Sequence, residues 1–111
     1  MYDLDRDVQS EIAQQVQANK IMIYMKGTPD MPMCGFSYAT VQVFRSLGVP
    51  FTTVNVLDDP EIRQGIKAFS NWPTIPQIYI NGEFIGGNDI VQELYARQEL
   101  HTLVNAALNA S

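Results

Sequence analysis

Apolar residues along this chain follow two rhythms, and the switches between them outline the elements. Leu4, Val8, Ile12 and Val16 recur every four residues among polar neighbours. That spacing predicts an amphipathic helix ending near Asn19. "KIMIYMK", Lys20 to Lys26, is apolar at almost every position and is bounded by Gly27, as a central strand covered on both faces would be. "GTPDMPM", Gly27 to Met33, carries two prolines and reads as a loop. A second helix is expected to start at Cys34, present Val41, Phe44 and Leu47 on one side, and stop at Gly48. "FTTVNV" reads as a second strand. Asp59 followed by Pro60 supplies an N-cap and a proline at the first helical position, opening a helix through Phe69. "QIYI" and "EFIG" flank Asn81-Gly82, a strong hairpin signal. Asp89 to Leu108 reads as helical, with a break near Gln98.

The resulting order is α-β-α-β-α-β-β-α. The first two strands are joined by a helix, so a parallel pair with a right-handed crossover is expected. The hairpin adds an antiparallel pair. The expected fold is therefore α/β: a four-stranded mixed β-sheet with helices on both faces, the thioredoxin-like arrangement. At 111 residues the chain is expected to form a single domain over 1–111. In such a fold the end of the first strand and the start of the next helix form a natural site, and Cys34 falls there.

Composition narrows the class without naming the chemistry. Apolar residues make up 46% and charged residues 17% of the chain, with no low-complexity stretch, as in a soluble globular protein. No apolar run approaches the roughly 18 residues of a membrane helix, so no membrane partner is expected. The stretch "MYDLDRDVQSEIAQQ" has neither the basic start and apolar centre of a signal peptide nor the Arg-rich character of a transit peptide. A cytoplasmic location is expected, and a single cysteine agrees with a reducing compartment. The net charge of −5 argues against nucleic acid as the main partner.

Cys34 is the only cysteine, so it cannot form an intramolecular disulfide. Most lone cysteines are inert core residues. The position argues for more. At a helix N-terminus, free backbone N–H groups and the macrodipole favour a thiolate and lower a pKa that starts near ~8.5. Gly35 would let a ligand approach the backbone, and Phe36 would either cover the flank of the thiol or anchor the loop. Ser37 stands where a C-x-x-C redox pair would carry its second cysteine.

Other stretches converge on the same place. In "NWPTIPQIYI", Thr74-Ile75-Pro76 directly precedes a strand, the position a proline can occupy in a sheet. An ordinary turn proline is one reading. In a thioredoxin-like fold a cis proline facing the cysteine is the other, and it would turn the N–H and C=O of Ile75 outward to pair with an extended peptide. "GGNDI", Gly86 to Ile90, is either a generic helix start or a set of N–H groups, at Asn88 and Asp89, for a carboxylate. Lys26 and Arg63 read singly as solvated charges. Together they would suit a small peptide with two carboxylates, and glutathione is such a peptide. Lone His101 reads as a surface residue.

"CGFS" at Cys34–Ser37, with "WPTIPQIYINGEFIGGND" at Trp72–Asp89, resembles the monothiol glutaredoxins of the CGFS class. The likeness runs from about Lys20 to the last helix and includes the long spacer between Lys26 and Cys34. It implies that Cys34 ligates a [2Fe–2S] cluster and that glutathione is held by Lys26, Arg63, the Ile75 backbone, and Asn88 with Asp89. Phe36 would flank the thiol, and Trp72-Pro73 would shape the surrounding surface. Lys67, on the same helix as Arg63, is not matched to that site and is expected to lie outside it. Many members carry cysteine where this chain has Asn88, so a disulfide there is excluded. Members with phenylalanine at Ile75 are also familiar, and a backbone contact should survive that difference.

Such a cluster needs four ligands. One chain offers one thiolate, so two chains and two glutathiones would complete the set. The resemblance therefore implies a carrier that is a homodimer when cluster-bound and passes its cluster to apo iron–sulfur proteins. It also implies a BolA-family protein able to replace one subunit. The alternative is a glutathione-dependent thiol–disulfide oxidoreductase, in which Cys34 removes glutathione from a mixed disulfide and a second glutathione releases it. The long loop and the missing resolving thiol predict weak activity of that kind. A third reading is a thioredoxin-like module whose cysteine is inert.

Overall fold

The structure is a computed structural model and describes residues 5–110. The elements run α1 Val8–Ala18, β1 Ile21–Met25, α2 Gly35–Leu47, β2 Thr52–Asn55 and α3 Pro60–Ser70. Then come β3 Gln77–Ile80, β4 Glu83–Gly86, α4 Asn88–Ala96 and α5 Glu99–Asn109. The strands form one mixed sheet in the order β2-β1-β3-β4. β1 pairs with β2 in parallel, and β1–β3 and β3–β4 are antiparallel. This is the thioredoxin-like arrangement expected from the element order.

Alternation along the central strands sorts side chains to two faces. Ile21, Ile23 and Met25 of β1 join Ile78 and Ile80 of β3 against Val41 and Phe44 of α2, Val91 of α4 and Leu100 and Val104 of α5. Met22, Tyr24 and Tyr79 pack on the other face against Ile12 and Val16 of α1 and Ile62 and Ile66 of α3. Burial of β1 on both faces explains its unbroken apolar run.

The helix signals act through identifiable bonds. The Asp7 carboxylate accepts the N–H of Ser10 at 3.0 Å and starts α1. Leu4, which the four-residue spacing includes in that helix, lies outside the described residues. The Asp59 carboxylate accepts the N–H of Ile62 at 3.2 Å, with Pro60 as the first residue of α3. Gly48 closes α2 at φ 67°, and its N–H bonds Arg45 O. The hairpin tip is made by Asn81 and Gly82 at φ 53° and 81°. Helix α2 begins at Gly35, with Cys34 as its cap rather than its first turn. The expected break near Gln98 is real: Gln98 takes φ 61° and separates α4 from α5.

The 27–33 loop is folded back on itself. Thr28 and Met31 exchange backbone hydrogen bonds at 3.1 Å each, and Met33 N–H reaches Lys26 O at 2.9 Å. Gly27, at φ 89°, allows this closure, because a Cβ there would collide with Met31 O and the Met33 backbone. Asn55 ties the end of β2 to the loop by accepting Gly27 N–H at 2.9 Å. The loop thus delivers Cys34 from the end of β1 to the start of α2 on a fixed base.

Candidate functional site

Cys34 caps α2 in an extended conformation (φ −155°, ψ 136°) and is partly exposed. Burial pushes its thiol up. The N–H groups of Ser37 and Phe36, the charge of Lys26 and the Ser37 hydroxyl pull the other way and prevail, so the pKa lies below the ordinary thiol value. The thiolate is favoured by the geometry that the sequence suggests at a helix N-terminus.

Ser37 does more than mark the place of a missing cysteine. Its side chain is fully buried, and its Oγ accepts the N–H of Lys26 at 3.1 Å. It therefore ties the end of β1 to the first turn of α2. Phe36 does not anchor the loop in the core, since it is 62% exposed. It flanks the thiol instead.

A cavity of about 610 Å³ opens beside Cys34. The residues expected at the site, Lys26, Cys34, Phe36, Arg63, Ile75, Asn88 and Asp89, all line it, as do Trp72 and Pro73. The Ile75–Pro76 bond is cis, directly before β3. Among the described residues, the N–H and C=O of Ile75 take no part in the hydrogen bonds of the sheet or its turns. At the opposite wall, α4 starts after Gly87, which offers no side chain to cap the first N–H groups. A Cβ on Gly87 would sit 3.3 Å from Pro76 O, so the two walls approach closely there.

Lys67 corrects the sequence reading. It lines the cavity with Arg63 rather than lying outside it. The signal was present in the spacing, because residues four apart on a helix share a face. Each of the other basic residues has a partner. Arg6 pairs with Glu11, Asp59 and Glu61, Arg45 with Asp30, and Arg97 with Glu93. Lys20 Nζ donates to Ala110 O at 3.2 Å. Lys26, Arg63 and Lys67 enter no ion pair among the described residues, and all three face one cavity of a chain with net charge −5.

Gln77 was also missed. It is fully buried in a strand that reads as apolar. Its Nε2 donates to Trp72 O at 3.0 Å and Thr74 O at 3.2 Å, and its Oε1 accepts the Tyr79 hydroxyl at 3.1 Å. One side chain thereby fixes the segment that carries Trp72 and Ile75. The available signal was a lone polar residue immediately after Pro76. His101 is exposed, as expected.

The glutaredoxin family model matches residues 21–85, which include Cys34, Ser37 and the cis Pro76. The chain belongs to the glutaredoxin family. This glutaredoxin is 55% identical over 105 residues to the monothiol glutaredoxin ycf64-like of Synechocystis sp., covering 95% of this chain and 98% of the relative. It is 52% identical over 93 residues to the mitochondrial glutaredoxin-related protein 5 of Danio rerio, covering 83% of this chain but 60% of that longer protein. The solution structure of reduced poplar apo GrxS14 superposes with a TM-score of 0.81 at 45% identity, covering 93% and 94% of the two chains. With Cys34 as its one cysteine and Ser37 three residues on, it is a monothiol glutaredoxin. Among the described residues of this glutaredoxin, no helix is long and apolar enough to cross a membrane. No group of three or more His, Cys, Asp or Glu among them could hold a metal ion.

Proposed function

We propose that this glutaredoxin carries a [2Fe–2S] cluster as cargo, held between two copies of the chain with two glutathiones, and hands it to apo iron–sulfur proteins. The observation that carries the reading is the set of three cations, Lys26, Arg63 and Lys67, that enter no ion pair among the described residues and line the cavity beside Cys34. An anionic peptide thiol is the chemistry such a cavity fits. Charge-assisted hydrogen bonds from these groups would hold one glutathione carboxylate, and the uncapped start of α4 would hold the other.

The ligand count supports sharing. One chain brings one thiolate, whereas the cluster takes four ligands. Cys34 lines the cavity and is partly exposed, so its thiolate would be open to bridging to a second copy. Glutathione dissociates more readily than a protein cysteine, which suits transfer rather than storage. By family resemblance, a BolA-family protein would take the place of one copy. The test is anaerobic reconstitution with iron and sulfide, with and without glutathione. A visible cluster spectrum that requires glutathione and disappears in Cys34→Ser is the expected result. An equally stable cluster formed without added thiol would contradict it.

The lowered pKa of Cys34 favours a second, weaker activity. Its thiolate would attack the glutathione sulfur of a mixed disulfide and expel the other thiolate. A second glutathione thiolate would then release glutathione disulfide and restore Cys34. Buried Ser37 supplies no resolving thiol, so this route depends wholly on free glutathione.

A further inference from the structure

Gly65 lies in the middle of α3, where glycine is among the poorest helix formers. Its neighbours explain why it is there. A Cβ at Gly65 would meet Val8 Cγ1 at 2.5 Å, Ile12 Cδ1 at 3.3 Å and Gln9 Nε2 at 3.4 Å. All three belong to α1, so the bare backbone of α3 is the seat on which that helix rests. Polar bonds fix the seat. Gln9 Nε2 donates to Gly65 O at 2.9 Å. Arg6, just before α1, donates to both Asp59 carboxylate oxygens at 3.0 and 2.8 Å and to Glu61 at 3.3 Å, at the start of α3. The other flank of α3 is a wall of the cavity. Arg63 and Lys67 line it, each two residues from Gly65 and so roughly 200° away round the helix. Ile62 and Ile66 bury the face between the two flanks. Helix α3 is thus held between α1 and the cavity.

We infer that Gly65 is a positioning residue: by letting α1 close onto the back of α3, it sets how far Arg63 and Lys67 stand into the cavity. It thereby sets the affinity for the anionic peptide held there. The inference rests on the glutathione reading and adds a control exerted by a residue that does not line the cavity. Val8 is β-branched and keeps one main rotamer in a helix, so its methyl groups are a stiff stop. Both helices are also anchored in one core, α1 through Ile12 and Val16 and α3 through Ile62 and Ile66. A methyl group added between them has no open space to enter, and the packing must shift to admit it. Charge-assisted hydrogen bonds are sensitive to such shifts, because they hold only over a narrow range of distance and angle.

The test is a size-swap cycle on the cluster-free protein: wild type, Gly65→Ala, Val8→Ala and the double variant. Each is titrated with reduced glutathione, followed by amide chemical shifts, at a temperature well below its unfolding midpoint. Gly65→Ala should weaken binding about five-fold or more, and Val8→Ala, which leaves α3 unbacked, about two-fold or more. The double variant adds a methyl to α3 where Val8 has given up two, so its binding should return toward the wild-type value. That non-additivity assigns the effect to the contact between α1 and α3. A merely structural glycine would move the unfolding midpoint and leave the affinity of the folded protein unchanged. Full affinity in Gly65→Ala, or a loss that Val8→Ala does not relieve, overturns the inference and leaves the glutathione reading standing. Where Gly65→Ala does not fold, Val8→Ala decides alone: weaker binding supports the inference and full affinity overturns it. If wild type takes up no glutathione, both fall.

Discussion

The Ser37 hydroxyl oxygen accepts the backbone N–H of Lys26 at 3.1 Å, and Ser37 directs its own N–H and hydroxyl at the Cys34 thiol. One buried side chain therefore sets both the end of β1 and the charge state of the reactive sulfur. Ser37→Ala should raise the Cys34 pKa toward its ordinary value and leave the Lys26 N–H without an acceptor. That loss should cost about 1–3 kcal/mol of stability. Ultraviolet thiolate absorbance against pH, with denaturant unfolding, checks both effects. An unchanged pKa would show that the backbone donors act alone.

The depressed Cys34 pKa also couples to folding. The folded protein gives up the thiol proton at a lower pH than the unfolded chain does. The resulting stabilisation is complete above the unfolded value of ~8.5 and is lost as pH falls through the folded value. The stability of the reduced protein relative to Cys34→Ser should rise between those two values and then level off. Denaturant midpoints across that range would reveal it, and a difference independent of pH would contradict the lowered pKa.

Arg63 and Lys67 face the same cavity from adjacent turns of α3. Arg63→Glu and Lys67→Glu should both weaken glutathione binding, each about ten-fold or more if a charge-assisted bond is lost. Lys20→Glu, whose amine bonds Ala110 O instead, serves as the control and should change binding little. Parallel glutathione titrations of the three variants decide the point. A Lys67 variant that behaves like the Lys20 variant would remove Lys67 from the site.

Gln77→Leu keeps the strand apolar but strips the donors from Trp72 O and Thr74 O and the acceptor from the Tyr79 hydroxyl. We expect a loss of about 2–4 kcal/mol by denaturant unfolding, since each buried polar group left unpaired costs about 1–3 kcal/mol. Glutathione binding should fall as well, because the segment bearing the Ile75 backbone is released. Weakened folding with full binding affinity would mean that the segment is held by other contacts.

Most of the fold was legible because its signals are local. The all-apolar β1, the Asp59-Pro60 start and the Asn81-Gly82 tip each act within a few residues. Cys34, Lys26 and Ile75 were legible because strand ends and a pre-strand proline have only a few places in such a fold. The missed features are contacts between distant segments. Lys67 was set outside the site because the resemblance does not match it there, and only the packing of α3 near Trp72 brings it to the cavity. Gln77 looked like ordinary strand, and its carbonyl partners lie in a segment without regular structure. The orientation of Asn88 depends on Thr40, 48 positions away. Phe36 left two readings open because sequence alone cannot separate a side chain that covers a site from one that anchors a loop.

The central claim is that one thiol per chain suffices because the cargo is shared. Native mass spectrometry of the anaerobically reconstituted protein counts the parts directly. The account predicts one [2Fe–2S] cluster with two chains and two glutathiones, and a dimer that is lost together with the cluster. A cluster retained by a single chain, or by two chains without glutathione, would contradict it.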